Sequence, residues 1–184
     1  MPKGRYLVGG EVEEFACAAG AVGWRYTSVR GGATLDLTLD ANGRPYRVEM
    51  AAGGWVLRGG GAGTSMLWLR RPAEGGEGRE LSEVAHGFLG DSPGFWVAVA
   101  RLARLPVGES RRLRLVEVAG AALATRVVDV EWRCVEVADH GVAVTRYDAV
   151  PMDTGETRTA YLAGDVVVAA DGVELLDLDD GAGR

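Results

Sequence analysis

Asp91-Ser92-Pro93-Gly94-Phe95-Trp96-Val97-Ala98-Val99-Ala100-Arg101-Leu102-Ala103-Arg104-Leu105 is the one stretch of this chain written at helical period, and the sequence around it is written at strand period. Ser92 offers an oxygen to the free amides of a first helical turn. Pro93 suits the first helical position, where its missing N–H is not needed. The spacing therefore predicts a helix over 92–105. At 3.6 residues per turn, Arg101 and Arg104 share a narrow stripe with Val97, while Phe95, Trp96, Ala98, Val99, Leu102 and Ala103 take the rest of the circumference. Such a helix is largely buried. In a β-rich chain it lies across a sheet, where it either lines a cavity or plugs the sheet face.

The strand pattern is cleanest over 33–40, where Leu35, Leu37 and Leu39 alternate with Thr34, Asp36, Thr38 and Asp40. Asn42-Gly43 then reads as a type I′ turn, and Tyr46, Val48 and Met50 continue the apolar face on the return. The implied register pairs Leu39 with Tyr46, Leu37 with Val48 and Leu35 with Met50, and sets Asp36 against Glu49 with Arg47 on the diagonal. Further strands are expected at 11–17, 21–30, 54–59, 64–70, 112–118, 124–137, 142–150, 157–162, 165–170 and 173–178, with Asp139-His140-Gly141 and Asp171-Gly172 as tight turns. Residues 71–80 read as an exposed loop, and 81–89 fit a short helix or a strand equally well. Within 124–137, Val128, Val130, Trp132 and Cys134 face one way and Asp129, Glu131 and Arg133 the other, as in a long, bent, central strand. A sheet of this kind curls to hide its apolar face, and the helix is the available cover. The expected fold is mainly β, a β-rich α+β domain over 1–184, with a strongly curved antiparallel sheet partly closed by one apolar helix.

A net charge of −6 and a pI near 5.0 argue against a nucleic-acid partner. Lys3 is the only lysine, isoleucine and glutamine are absent and Asn42 is the only asparagine, a bias of GC-rich coding that discounts arginine as a functional signal. No interior lysine is present for Schiff-base chemistry. The first ten residues lack the apolar run of a signal peptide, and no segment approaches a membrane span. A cytoplasmic location follows as an expectation, and with it Cys17 and Cys134 as reduced core thiols.

Catalytic and metal motifs are not found in the sequence. The run from Gly59 to Ser65 lacks the lysine of a phosphate loop and reads as a hairpin connection. Ser65, Ser82, Ser92 and Ser110 have no triad context, and His86 and His140 sit in no ligand-spaced motif. Asp129 and Glu131 share a face at strand spacing, as general acid/base partners do and as a solvated outer face does. Asp177, Asp179 and Asp180 read as a solvating tail. Neither a cofactor nor a metal site is expected.

Ala100-Arg101-Leu102-Ala103-Arg104-Leu105-Pro106-Val107-Gly108-Glu109-Ser110 resembles the helix end and following turn of a bacterial glycolipid-binding family. Arg44-Pro45-Tyr46-Arg47-Val48, followed by Trp55, is similar to that family's early hairpin, and Ala170-Asp171-Gly172-Val173-Glu174-Leu175 to its terminal strand pair. Before the helix, Asp91-Ser92-Pro93-Gly94-Phe95 stands where the family has a threonine-proline-alanine-threonine-asparagine sequence. The resemblance implies a spiral β-roll, related in shape to bacterial lipoprotein carriers, and a glycolipid-like ligand. On this reading Trp24, Trp55, Trp68, Phe95, Trp96, Val99, Leu102 and Trp132 are the candidates for lining the concave face. The chain is then a non-enzymatic binder of a lipid-like or glycolipid-like apolar small molecule. The rival reading is a structural or interaction module with a packed interior that self-associates as a homo-oligomer. A third, an enzyme using Asp129, Glu131 or His86, has no converging constellation behind it.

Overall fold

A computed structural model describes residues 1–20 and 22–179. Its strands are β1 (Lys3–Val8), β2 (Glu11–Ala19), β3 (Gly23–Arg30), β4 (Ala33–Asp40), β5 (Pro45–Ala52), β6 (Trp55–Ala62), β7 (Ser65–Pro72), β8 (Arg79–Val84), β9 (Gly87–Leu89), β10 (Ser110–Ala119), β11 (Ala124–Asp139), β12 (Ala143–Pro151), β13 (Arg158–Ala163), β14 (Val166–Ala170) and β15 (Val173–Asp179). All of them join one sheet. β1 and β15 lie at its centre; β2 to β8 extend to one side in chain order, and β14 back to β9 extend to the other. Neighbours are antiparallel except β9 and β10, which are parallel. Of the expected strand over 21–30, Ala21 lies outside the described residues. Asp177 and Asp179 belong to β15, paired with Arg5 and Lys3, rather than to a free tail, and Asp180 lies outside the described residues.

The order of strands forces the curvature. β8 and β9 stand at opposite ends of the sheet, yet only Ala85 and His86 separate them. Three Cα-to-Cα steps of about 3.8 Å cannot span more than about 11 Å. The sheet is therefore rolled until its two edges nearly meet, without a ladder that closes it. The run 79–89 pairs first with β7 and then with β10. At the change of partner, the His86 N–H donates to the Arg114 carbonyl at 2.8 Å and His86 Nδ1 accepts the Arg114 N–H at 3.0 Å. A side chain thus continues the ladder for one step. This answers the ambiguity over 81–89: the segment is strand, in two pieces, and its period breaks where the partner changes. The expected loop over 71–80 is shorter than that, since β7 reaches Pro72 and β8 begins at Arg79, and the glycine run expected as a hairpin connection lies largely within β6.

The helix α1 (Gly94–Ala103) fills the roll. Phe95, Val97 and Ala98 pack with Tyr6, Phe15, Tyr26 and Leu37, while Val99 and Ala103 pack with Leu113, Leu115, Val130 and Trp132. Tyr6, Phe15 and Tyr26 stack across β1 to β3 with ring centroids 4.4 and 5.8 Å apart. Gly94 is seated on Tyr26 so closely that a Cβ would lie 2.5 Å from the ring. The far end of the helix is tied down by Arg101, 2.6 Å from Asp165, and by Arg104, whose guanidinium donates to the Ala41 carbonyl.

Three expectations about the helix need correction. It is shorter than 92–105. Pro93 occupies the N-cap and no side chain caps the first turn; the Phe95 and Trp96 amides donate to the carbonyls of Ser92 and Pro93, both at 3.0 Å, and the Ser92 hydroxyl is drawn instead to Glu13. Val97 is buried rather than part of a solvent stripe, because the roll wraps that side of the helix too.

In the β4–β5 hairpin Leu35 pairs with Met50 and Leu37 with Val48, as expected, but Leu39 pairs with Pro45 and Tyr46 faces solvent at 62 % exposure. The turn is the cause. Gly43 (φ 78°) donates to the Asp40 carbonyl at 3.0 Å, and Asn42 is not at positive φ. This is a type I turn followed by a left-handed glycine, which adds a bulge at Thr38/Leu39 and reverses the facing of Tyr46. The opposed Asp36 and Glu49 are both neutralised, Asp36 by Arg25 at 2.6 Å and Glu49 by Arg47 at 2.7 Å and Arg58 at 3.1 Å.

Gly43 also presses on the helix, where a Cβ would stand 2.3 Å from the Arg101 carbonyl oxygen. Gly43→Val is expected to destabilise the fold by roughly 2–5 kcal/mol, combining the left-handed penalty with overpacking. Urea unfolding checks this, and a parent-like midpoint refutes it.

Cys17 and Cys134 are free and buried. Burial pushes the Cys17 thiol up from about 9 to about 12, and burial likewise raises Tyr6 and carries Tyr26 well above the usual phenol range. Below pH 9 these groups are protonated in both states. Between pH 9 and 12 the unfolded chain loses the Cys17 proton while the folded chain keeps it, so stability falls as pH rises. Unfolding free energy measured across that window is expected to decline, and Cys17→Ala is expected to flatten the decline.

Candidate functional site

One end of the roll is open. A cavity of about 730 Å³ lies there, beside the turns that join β1 to β2 and β14 to β15. Its apolar lining comes from three directions: Trp96 from α1, Val130 and Trp132 from the inward face of β11, and Ala149 from β12 directly opposite Trp132. The Trp96 and Trp132 rings lie 5.0 Å apart at 44°, and Tyr147 is 5.8 Å from Trp132. Trp132 is fully buried, and its indole N–H has no partner among the described residues. The indole N–H groups of Trp24 and Trp68, away from this cavity, are buried without a partner in the same way.

A second cavity of about 340 Å³ adjoins the first and shares Glu11, Arg30 and Asp91 with it. Leu35, Met50, Val118 and Leu123 supply its apolar wall, and Glu13, Ser28 and Ser92 its polar one. Glu13 is 1 % exposed. Its Oε1 accepts hydrogen bonds from the Tyr26 hydroxyl at 2.9 Å and the Ser92 hydroxyl at 2.5 Å, and its Oε2 stands 3.7 Å from the Arg30 guanidinium. One carboxyl thus joins β2, β3 and the segment leading into the helix.

The rim of the larger cavity is rich in carboxylates. The side chains of Glu11, Asp91 and Glu156 have no partner among the described residues. Asp171 accepts only the Thr159 N–H, at 3.0 Å. Glu117 is engaged by Arg126 at 2.5 Å and faces Arg158 at 4.0 Å.

Of the residues named from sequence, Trp96 and Trp132 meet in the larger cavity. Trp24 lines a separate pocket at the opposite end, with the Arg101 guanidinium 5.3 Å from its ring. Trp68 is buried edge-on to Phe88, and Trp55 lies 3.6 Å beneath the Arg70 guanidinium. Phe95 and Val99 are packed core, and Leu102 is half-buried against the second core cluster. Asp129 and Glu131 lie on the outer face; Arg112 holds the first at 2.9 Å, and Arg133 and Ser110 hold the second and keep its carboxyl below the usual range. His86 serves the sheet seam. These three are not brought together. Glu11, Glu13 and Arg30 were missed, although a signal existed: Glu13 shares parity with Phe15 and Cys17, and Arg30 with Trp24 and Tyr26, so charged residues fall on the core face.

No family model and no curated protein matches this chain. Among solved structures, the chain is similar to the crystal structure of a DUF1089 family protein from Pseudomonas aeruginosa, with a TM-score of 0.60 and 14% sequence identity over 86% of this chain and 88% of that chain. At that identity the likeness is one of fold. Among the described residues no helix is long and apolar enough to cross a membrane.

Glu13→Ala strips Tyr26 and Ser92 of their shared acceptor and leaves Arg30 without its nearest carboxylate. The expected loss is roughly 2–4 kcal/mol, read by urea unfolding, with a smaller loss for Glu13→Gln, which keeps an acceptor.

Proposed function

We propose that this chain is a non-enzymatic binder of a small amphiphile, lipid-like or glycolipid-like, held at the open end of the roll. The observation that carries the reading is the cavity of about 730 Å³ at the open end of the roll, lined on its apolar side by Trp96, Val130, Trp132 and Ala149. Its volume lies within the range of small-molecule sites, and its mixture of aromatic floor and polar rim suits a ligand with one apolar and one polar part. The middle of the concavity is occupied by Phe95, Val97 and Val99, which moves the binding position from the centre of the sheet to its end.

A second reading, self-association, has in its favour the outer edge of β8, unpaired in the sheet and ending on Val84 at 64 % exposure. It calls for a dimer in sedimentation analysis of ligand-free protein.

The binder reading is tested by native mass spectrometry of freshly purified protein and by titrating octyl glucoside, below its micelle concentration, against tryptophan fluorescence. Saturable binding is expected. Trp96→Ala removes the half-buried ring that lines the cavity, and is expected to weaken binding at least about fivefold. Protein that carries nothing from expression and shows no saturable response sinks the reading.

A further inference from the structure

We propose that the smaller cavity is the head subsite of this binder and takes a neutral head with hydroxyl groups on adjacent carbons; the proposal rests on the amphiphile reading above. Ser28 is the observation that points to a ligand. It is 7 % exposed, lines the smaller cavity, and carries a hydroxyl with no partner among the described residues. That hydroxyl opens on the cavity, whereas the indole N–H groups of Trp24, Trp68 and Trp132 are sealed from solvent. Its place follows from the register. Ser28 sits on the inner face of β3 between Phe15 of β2 and Leu35 of β4, and Arg30 follows on the same face, opposite Glu13. Glu13 and Arg30 line the cavity too. Glu13 Oε1 is taken by Tyr26 and Ser92, but Oε2 accepts no hydrogen bond, because the Arg30 guanidinium at 3.7 Å lies beyond hydrogen-bond reach. Three groups therefore call for partners of different kinds: Oε2 only accepts, the guanidinium only donates, and the serine hydroxyl does both. A ligand hydroxyl about 2.8 Å from each bridges Oε2 and Arg30. A second hydroxyl, on the neighbouring carbon, meets Ser28 one inner-face position along the strand. A charged head does worse, since an anion competes with Glu13 for Arg30 and a cation competes with Arg30 for Glu13, and either disturbs a balanced pair. Glu11 and Asp91, at the mouth shared with the larger cavity, are exposed and screened by water. Leu35, Met50, Val118 and Leu123 form the wall that takes the C–H groups of the head. Arg30 lines the larger cavity as well, so a tail leaving this subsite runs on to Trp96, Val130 and Trp132.

The test titrates octyl glucoside, 1-O-octylglycerol, octanol and octanoate against tryptophan fluorescence, each below its micelle concentration. The two polyol heads are expected to bind at least about tenfold more tightly than octanol and octanoate, the worth of the added hydrogen bonds. The tighter of the two identifies the head as glycosyl or glyceryl. Ser28→Ala is expected to lower the ratio of polyol to octanol affinity about fivefold. It is also expected to leave the urea midpoint at or above that of the parent, because no group of the protein loses a partner. Octanol or octanoate binding as tightly as the better polyol overturns the subsite, as does a ratio unmoved in the variant. A lowered urea midpoint, which gives the hydroxyl a partner inside the protein, overturns it too. Each of these outcomes leaves the amphiphile reading standing, whereas binding of none of the four probes overturns both.

Discussion

Two residues, Ala85 and His86, carry the chain from one edge of a fifteen-stranded sheet to the other, and that short tether dictates the shape of everything inside. With the edges held so close, the concave space has room for a single helix, and that helix must be apolar on nearly every side. Small residues make the fit possible: Gly94 against Tyr26, with Ala98 and Ala103 buried where the helix passes between the two core clusters. The helix does not reach both ends of the roll equally. Its C-terminal end is clasped by the tip of the β4–β5 hairpin and by Asp165, while its N-terminal end stops at the rim, beside the two adjoining cavities.

Glu13 shows how the same roll tolerates charge on its inner face. A buried carboxyl is expensive unless its oxygens are matched, and here two hydroxyls and a guanidinium supply the match. Ser92 reaches Glu13 across seventy-nine positions of sequence, so the helix entrance is registered against β2 by a polar contact rather than by packing alone. The open end of the roll therefore sets polar groups, from the depth of Glu13 outward, beside the apolar walls of both cavities.

Much of this was legible. The single helix, the alternating strands and the pairing of Leu35 with Met50 and Leu37 with Val48 all follow from local period and turn residues. What escaped was set by distant partners. Ser92 has the chemistry of a helix cap, and nothing near it in sequence announces Glu13. Tyr46 continues an apolar alternation, but the extra residue at Gly43 shifts its facing by one. The stretch 81–89 has no single period because it serves two neighbours in succession. Of the candidate site, aromatic content singled out Trp96 and Trp132, while the rim groups come from strands and turns scattered between Glu11 and Asp171 and converge only when the sheet rolls.

The pairing of β1 with β15 sets the order in which this architecture can be assembled. Every other antiparallel ladder joins strands consecutive in the chain, so most of the sheet can zip locally as hairpins, whereas Lys3 to Val8 must wait for Val173 to Asp179. Closing a loop of that length is entropically slow, and it places the seam of latest formation at the middle of the sheet rather than at its edge. During synthesis the meander β1 to β8 therefore emerges before β15 does, with the long flank of β1 unpaired, the kind of open edge that invites pairing with another chain until Val173 to Asp179 covers it.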